Sequence, residues 1–491
     1  MILLTNRFLD PLGNEHVLFP WVLLGILFVI PFVDLRRPLR LLHLDLLVLL
    51  LLGVGPMLPY ALEEELPGSI VMIVGGLAYL AVRLLYAGFR PSERRELLTP
   101  LLPTAWLGVA LVVVLGLRIG YLLDDRQIAF DVGVASVAGA DRITDGRELY
   151  GELFETGPYS DEGQFSHFDT YGPSIYLLYV PFELALPWTW GGGLIGEPGY
   201  DDPDAAHVAA ITFDLLVMLV LFLLGRSVRA GPDGRLLGLA LVYAWATYPY
   251  TLFVLRYSFN DTLVALLVLG AFLAIAHPAG RGLLAALAAA SKFAPGVLAP
   301  MLATGTGERR LRSWLIFGGV FAAVLVAVLL PLLPPGGLSE FWDRTLGYQQ
   351  NRDREGSIFE NTIWLQFPNL DWLQRLTQLG IVGLALAFAV VPRRRSVVQL
   401  AALGAGLMAA AQLAVTYWVP AYLIWFAPLA FLALFAPHPI RRRSEMPSGE
   451  PGGAALVGHR ATDVARAVSR GSSSGSPVRT RRSSGRPRPA P

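Results

Sequence analysis

Leu283–Pro300 reads LLAALAAASKFAPGVLAP, an apolar run broken by one lysine and then by Pro295. Of the 39 Lys and Arg residues in the chain, Lys292 is the single lysine. Composition decides where so apolar a run belongs. Hydrophobic residues make up 54% of the chain and charged residues 16%, well under the roughly one quarter charged that a soluble domain carries. Mean hydropathy is +0.52. The expectation is an all-α integral membrane protein, a polytopic bundle of about 11–13 transmembrane helices, because runs of the roughly 20 residues that cross a hydrocarbon core recur along most of the sequence.

Working outward from Lys292, the apolar spans fall at 17–34, 41–62, 68–87, 100–121, 172–190, 205–225, 235–252, 258–276, 281–303, 312–332, 376–391, 396–416 and 418–436. Asp10 and Glu15 precede the first span and no small-residue cleavage site follows it, so it reads as a retained helix rather than a signal peptide. Simple alternation then places Arg36/Arg37/Arg40, Arg90/Arg94/Arg95, Arg309/Arg310/Arg312, Arg393–Arg395 and Arg441–Arg443 on one side. That side is the cytoplasm by the positive-inside rule. The acidic EEELPG (63–68) and two long loops, about 122–171 and 334–375, fall on the other.

Two stretches resist. RSVRAGPDGR (226–235) is basic and GEPGYDDPDAAH (196–207) acidic, yet alternation puts the first outside and the second inside. Either thirteen spans violate the charge rule, or 172–190, interrupted by Pro181 and Pro187, and 281–303, interrupted by Pro295, are broken or re-entrant and bracket a polar cavity. Three regions follow: N-terminal transmembrane helices over 1–99, a membrane module over 100–436, and a Gly/Ser/Pro/Arg-rich tail over 437–491 expected to be disordered and cytoplasmic. Cysteine is absent, which excludes disulfides and thiolate metal sites. The net charge of +1 is uninformative, and nucleic acid is not an expected partner.

Chemistry belongs where polar groups gather at the membrane edge. In the first long loop, the residues 128–140 carry Asp131 as their only charge and have the composition of an interfacial helix. A carboxylate partly desolvated there suits a general base. The alternative is that Asp131 caps a helix beginning at Val132. For Lys292, an ammonium at the bilayer centre costs at least about 2.5–3.5 kcal/mol, so it is functional or paired. It snorkels to an interface, pairs with Asp261 or Glu183, or serves as a compact point charge. Arg256, Asn260 and Asp261 in LRYSFND sit at a helix start, where capping competes with a site role. His167 in FSHFDT is a sugar contact, an acid or a solvated loop histidine. Phe341, Trp342, Tyr348, Trp364 and Phe367 stack on a substrate or form an interfacial belt. No His/Asp/Glu spacing matches a dedicated metal site.

FDVGVASVAGADRITDGRELYG (130–151) followed by FDTYGPSIYLLYVPFELAL (168–186) resembles the glycosyltransferases of the C superfold. The closest likeness is to the bacterial polyprenyl-phosphate-mannose-dependent α-mannosyltransferase group of glycosyltransferase family 87. Gly146 and Tyr150 match its "hhxGxxxY" element, and Tyr171, Pro173 and Pro181 its "YxPxxhxhxxP" helix entrance. RYSFNDTLVALLVLGAFLAIA, GLLAALAAASKFAPGVLAPML and NRDREGSIFENTIWLQF continue it in the same order, over roughly 118–375.

The resemblance implies an inverting hexosyltransferase that takes a sugar, mannose in the nearest group, from a polyprenyl-phosphate donor. The acceptor is a lipid or glycan at the outer face of the plasma membrane, in cell-envelope biosynthesis. It makes Asp131 the catalytic base, with Asp124 and Asp125 as rivals, and sets Lys292 with Arg352 or Arg354 against the donor phosphate. His167, Asp169, Tyr171, Arg256, Asn260 and Asp261 become substrate contacts. No cofactor is implied, although a phosphate-bridging divalent metal would need few protein ligands. Two departures stand out: three spans precede the helix leading to Asp131, and the insert FETGPYSDEGQFSHFD (154–169) is long, leaving the acceptor open. The rival class is a transporter or flippase of a lipid-linked anion, which would use the same cations and no base.

Overall fold

The computed structural model describes residues 18–52, 68–90, 104–124, 129–150, 169–187, 203–307, 311–351 and 363–438, and the regular structure among them is helical. Helices α1 (Leu18–Val29), α2 (Leu41–Leu51), α3 (Gly68–Phe89) and α4 (Thr104–Asp124) lead to a short helix α5 (Asp131–Thr144). Next come α6 (Pro173–Ala185), α7 (Asp204–Val228), α8 (Gly231–Thr247), α9 (Pro249–Arg256) and α10 (Asp261–Leu273). A broken segment follows, made of α11 (Pro278–Lys292), a 3-10 turn (Ala294–Leu298) and α12 (Ala299–Thr304). The chain continues through α13 (Leu311–Leu329), α14 (Gly337–Trp342), α15 (Tyr348–Asn351), α16 (Ile363–Gln366), α17 (Asp371–Ala387), α18 (Val397–Gln412) and α19 (Leu423–Phe435).

Helices α3, α7 and α13 are each long and apolar enough to cross a membrane, and α8 with α9 qualifies as one span bent by 59°. Apolar side chains are exposed on α3 (Val71, Val82), on α7 (Leu215, Leu219), on α13 (Leu315, Val326) and on the further helix α17 (Leu376, Leu379, Val382, Leu386). So much contiguous apolar surface fits lipid rather than water. Helix α19, apolar on every side, is buried along its whole length and forms the centre of the bundle.

Ties between loops define two ends. At the arginine end, Arg229 donates to the Ala436 carbonyl, and Gln399 Nε2 donates to the Gly88 carbonyl at 3.0 Å. Arg395 there caps two helix ends, donating to the Gly305 and Met301 carbonyls at 2.7 and 3.0 Å and to that of Phe388. At the opposite end, the Phe130 amide donates to the Tyr257 carbonyl at 2.9 Å and the Gly172 amide to the Ser291 carbonyl at 2.8 Å. His207 Nδ1 and Ser258 Oγ share a hydrogen bond of 2.7 Å at that same end.

These ties show how the two proline-interrupted segments run. The apolar run 281–303, read as either a full crossing or a broken helix, is broken at Phe293, whose φ of 55° lies in the left-handed region. Pro295 cannot supply the amide that would carry α11 onward. Arg281, one turn into α11, donates to the Ala303 carbonyl near the end of α12 at 3.2 Å and to Ser313 Oγ at 3.0 Å. The segment therefore leaves the arginine end, turns at Lys292 and returns. Helix α6 likewise starts beside Ser291, and α7 starts beside Ser258, so the chain over 172–203 begins and ends at the opposite end. In the basic stretch 226–235, Arg229 then meets Ala436, which places that stretch at the arginine end.

Helix α5 differs from the expected interfacial helix in being covered on all sides from Val132 to Ala140. Small residues make this possible. A Cβ on Gly133 would lie 2.6 Å from the Ser258 carbonyl, and one on Gly139 would lie 2.1 Å from the Tyr176 ring.

Candidate active site

The site is built around the corner Tyr257–Asp261 between α9 and α10. Ser258 turns the chain with a φ of 52°, and Phe259 stacks on Phe130 with ring centroids 5.5 Å apart. Asn260 occupies the N-cap position of α10, yet its side chain makes no cap bond. Instead Asn260 Nδ2 reaches across to α5, donating to the Val132 carbonyl at 3.2 Å and to Ser136 Oγ at 3.0 Å. The corner thus fixes the first turn of the helix that carries Asp131.

Asp131 is the first residue of α5, and its Oδ1 accepts from the Val132 amide at 2.7 Å. The helix begins one residue earlier than the capping alternative requires, with Phe130 at its N-cap and no side-chain cap bond. The carboxylate also sits at the positive end of the α5 dipole, where negative charge is favoured.

Lys292 lies at the turn between α11 and the 3-10 segment. Its Nζ is 2.8 Å from Asp261 Oδ1, with side-chain exposures of 8% and 1%, so the pair is buried. Three rings surround the ammonium, those of Tyr171, Trp425 and Tyr422 at 5.2, 5.6 and 5.8 Å. Such distances give cation–π attraction, stronger where water is excluded. Trp425 Nε1 donates to the same Asp261 Oδ1 at 2.8 Å. Of the two acids weighed as partners for the lysine, Asp261 is the one that meets it; Glu183 accepts from Thr144 Oγ1 at 3.2 Å.

In this pair and its neighbour in the chain, two buried polar atoms have no hydrogen-bond partner among the described residues: Asp261 Oδ2 and Asn260 Oδ1. Tyr179 is close enough to Asp261 and Ser136 to feel both. An unsatisfied buried polar atom costs about 1–3 kcal/mol unless a polar ligand or water meets it.

Asp169 is buried and faces Arg344, with Nη1 3.7 Å from Oδ2. Tyr150 OH donates to the Tyr171 carbonyl at 2.9 Å, and its ring meets Phe341 of the second long loop edge-on. Burial pushes the Tyr150 phenol well above its ordinary range, which keeps it a neutral donor. Arg256 is buried with its guanidinium over the Tyr257 ring at 5.4 Å. Asp124 is the last residue of α4, while Asp125, His167, Arg352 and Arg354 lie outside the described residues. Arg344 is a second-loop cation that the sequence reading passed over, although it stands in FWDRTLGY beside the aromatics singled out there. Tyr422 and Trp425 were also missed; their i, i+3 spacing in YLIWF was the available signal. No group of three His, Asp or Glu side chains among the described residues is placed to hold a metal.

The family model that matches this chain, glycosyltransferase family 87, covers residues 170–416. That stretch holds Tyr171, the Tyr257–Asp261 corner and Lys292; Asp131 precedes it and Trp425 follows it. No protein of curated function matches the chain.

Proposed function

From the premise that the chain belongs to glycosyltransferase family 87 and is a membrane glycosyltransferase, we propose that it moves one sugar, mannose by the resemblance, from a polyprenyl-phosphate donor to a lipid or glycan acceptor. The reaction runs with inversion at the outer face of the plasma membrane. The arginine end faces the cytoplasm in accord with the positive-inside rule, and the 172–190 and 281–303 segments do not cross. Asp131 takes the proton of the acceptor hydroxyl as its oxygen bonds to the sugar's anomeric carbon. The bond from that carbon to the phosphate oxygen breaks, and the polyprenyl phosphate departs with the electron pair. Lys292 meets the phosphate, helped by an arginine of the second long loop: Arg344, Arg352 or Arg354. Tyr171, Asp169 and Arg256 line the sugar.

One observation carries this reading: two consecutive corner residues, Asn260 and Asp261, join the start of the Asp131 helix to the caged Lys292. A base and a phosphate-binding cation held on one short segment are what a single-displacement transfer needs.

The test is transfer of labelled sugar from a panel of polyprenyl-phosphate sugars to a membrane lipid extract, with protein in nanodiscs. Asp131→Asn is expected to lower turnover by about 10²–10⁴-fold, the usual share of a general base, while donor binding stays within twofold. Equal turnover by both proteins removes Asp131 from the chemistry. Donor binding without turnover by the wild type would favour translocation, to be measured in vesicles.

A further inference from the structure

Asn260 and Asp261 are adjacent, buried and polar, and they point to opposite halves of the site. Asn260 spends its amide donors on α5, at Val132 and Ser136. Asp261 spends Oδ1 on Lys292 and Trp425. Each also keeps one buried acceptor without a partner among the described residues, Asn260 Oδ1 and Asp261 Oδ2. Each such atom costs free energy unless a ligand or water meets it. Asn260 stands at the N-cap of α10 without making a side-chain cap bond.

We propose that Asn260–Asp261 is a positioning clamp with separable arms. Asn260 sets where Asp131 stands relative to the acceptor, and Asp261 sets where Lys292 Nζ stands relative to the donor phosphate. The inference rests on the transferase reading above and gives Asn260 and Asp261 separate positioning roles in it. Lys292 needs the second arm because a lysine stem has four rotatable carbons and its ammonium is a point charge without fixed direction. The Asp261 carboxylate and the three rings pin it at the α11 turn. The first arm adds a side-chain tie to the start of α5, beside the bond from the Phe130 amide to the Tyr257 carbonyl and the Phe130–Phe259 stack.

The arms are tested by two double-mutant cycles in nanodiscs. Asp261→Asn is expected to weaken binding of polyprenyl phosphate, and to raise the donor KM, roughly tenfold, with no further loss when added to Lys292→Met, as coupled neighbours behave. Asn260→Ala is expected to lower kcat roughly tenfold with the donor KM unchanged, and to add nothing to Asp131→Asn. Asp261→Glu should recover part of the binding and Asn260→Ser part of kcat, which a general loosening of the fold would not arrange. Additive losses in either cycle, or Asn260→Ala acting on the donor KM, would overturn the clamp. If Lys292→Met itself leaves phosphate binding intact, the phosphate role proposed for Lys292 fails; if it weakens binding and Asp261→Asn does not, the clamp fails alone. A wild type without turnover on any donor overturns the transferase reading and the Asn260 arm with it, and the binding cycle still decides Asp261.

Discussion

Asp214 and Asp261 are both buried aspartates, each partnered by one basic side chain and one indole N–H. At Asp214, Arg118 Nη2 donates to Oδ2 at 2.9 Å and Trp245 Nε1 donates to Oδ1 at 2.8 Å. At Asp261, Lys292 and Trp425 both donate to Oδ1 at 2.8 Å, and Oδ2 has no partner among the described residues. The first triad is closed. Arg118 Nη1 also donates to the Ala246 carbonyl at 3.0 Å and to Thr251 Oγ1 at 3.1 Å, satisfying groups exposed by the 59° break between α8 and α9. The second triad concentrates two donors on one oxygen and leaves the other bare, a poor arrangement if stability were the only demand. Similar partner sets therefore have two outcomes: the Arg118–Asp214 pair is saturated and repairs a broken helix, and the Lys292–Asp261 pair leaves Asp261 Oδ2 without a partner among the described residues.

The contrast breaks most sharply if Asp214 is removed. Asp214→Ala strands the buried Arg118 and is expected to cost about 3–5 kcal/mol, read as an earlier unfolding midpoint in a denaturing-detergent titration, while the surviving folded enzyme keeps the wild-type donor KM. A change in KM would mean that the closed triad also reaches the site. Exchanging the cations comes next. Arg118→Lys loses the fork that serves three acceptors and should cost about 1–2 kcal/mol of stability with activity per folded molecule retained. Lys292→Arg should do the reverse, moving stability by under about 1 kcal/mol and lowering turnover roughly tenfold, because a planar fork does not fit a point-charge cage. The smallest effects separate the indoles. Trp245→Phe leaves Asp214 Oδ1 bare and should cost about 1 kcal/mol or somewhat more, whereas Trp425→Phe leaves Asp261 Oδ1 still bonded to Lys292 and should show mainly as a few-fold rise in donor KM.

Much of the helix content was legible in hydropathy. The spans expected at 312–332 and 396–416 appear as Leu311–Leu329 and Val397–Gln412. Hydropathy reports how apolar a run is, and it is silent about the end of the bundle at which the chain re-emerges. Hence 281–303 looked long enough to cross, and only its proline and the misplaced charges of 226–235 hinted at a return. The candidate site was legible in its residues more than in its roles. Lys292 had to have a partner, and Asp261 was one of two acids in the running. Asn260 looked like a helix cap, but its amide bonds residues more than a hundred positions away on α5. No local pattern could announce that contact.

By itself the sequence determined the solvent: too few charges for water and apolar runs of bilayer length. It also determined that Lys292 could not stand alone, because the cost of desolvating an ammonium follows from the apolar run in which it is written. Tertiary structure decided which acid answers the lysine, which rings enclose it and which helix Asn260 holds. Those choices depend on distances of about 3 Å between residues remote in the chain, set by how helices pack.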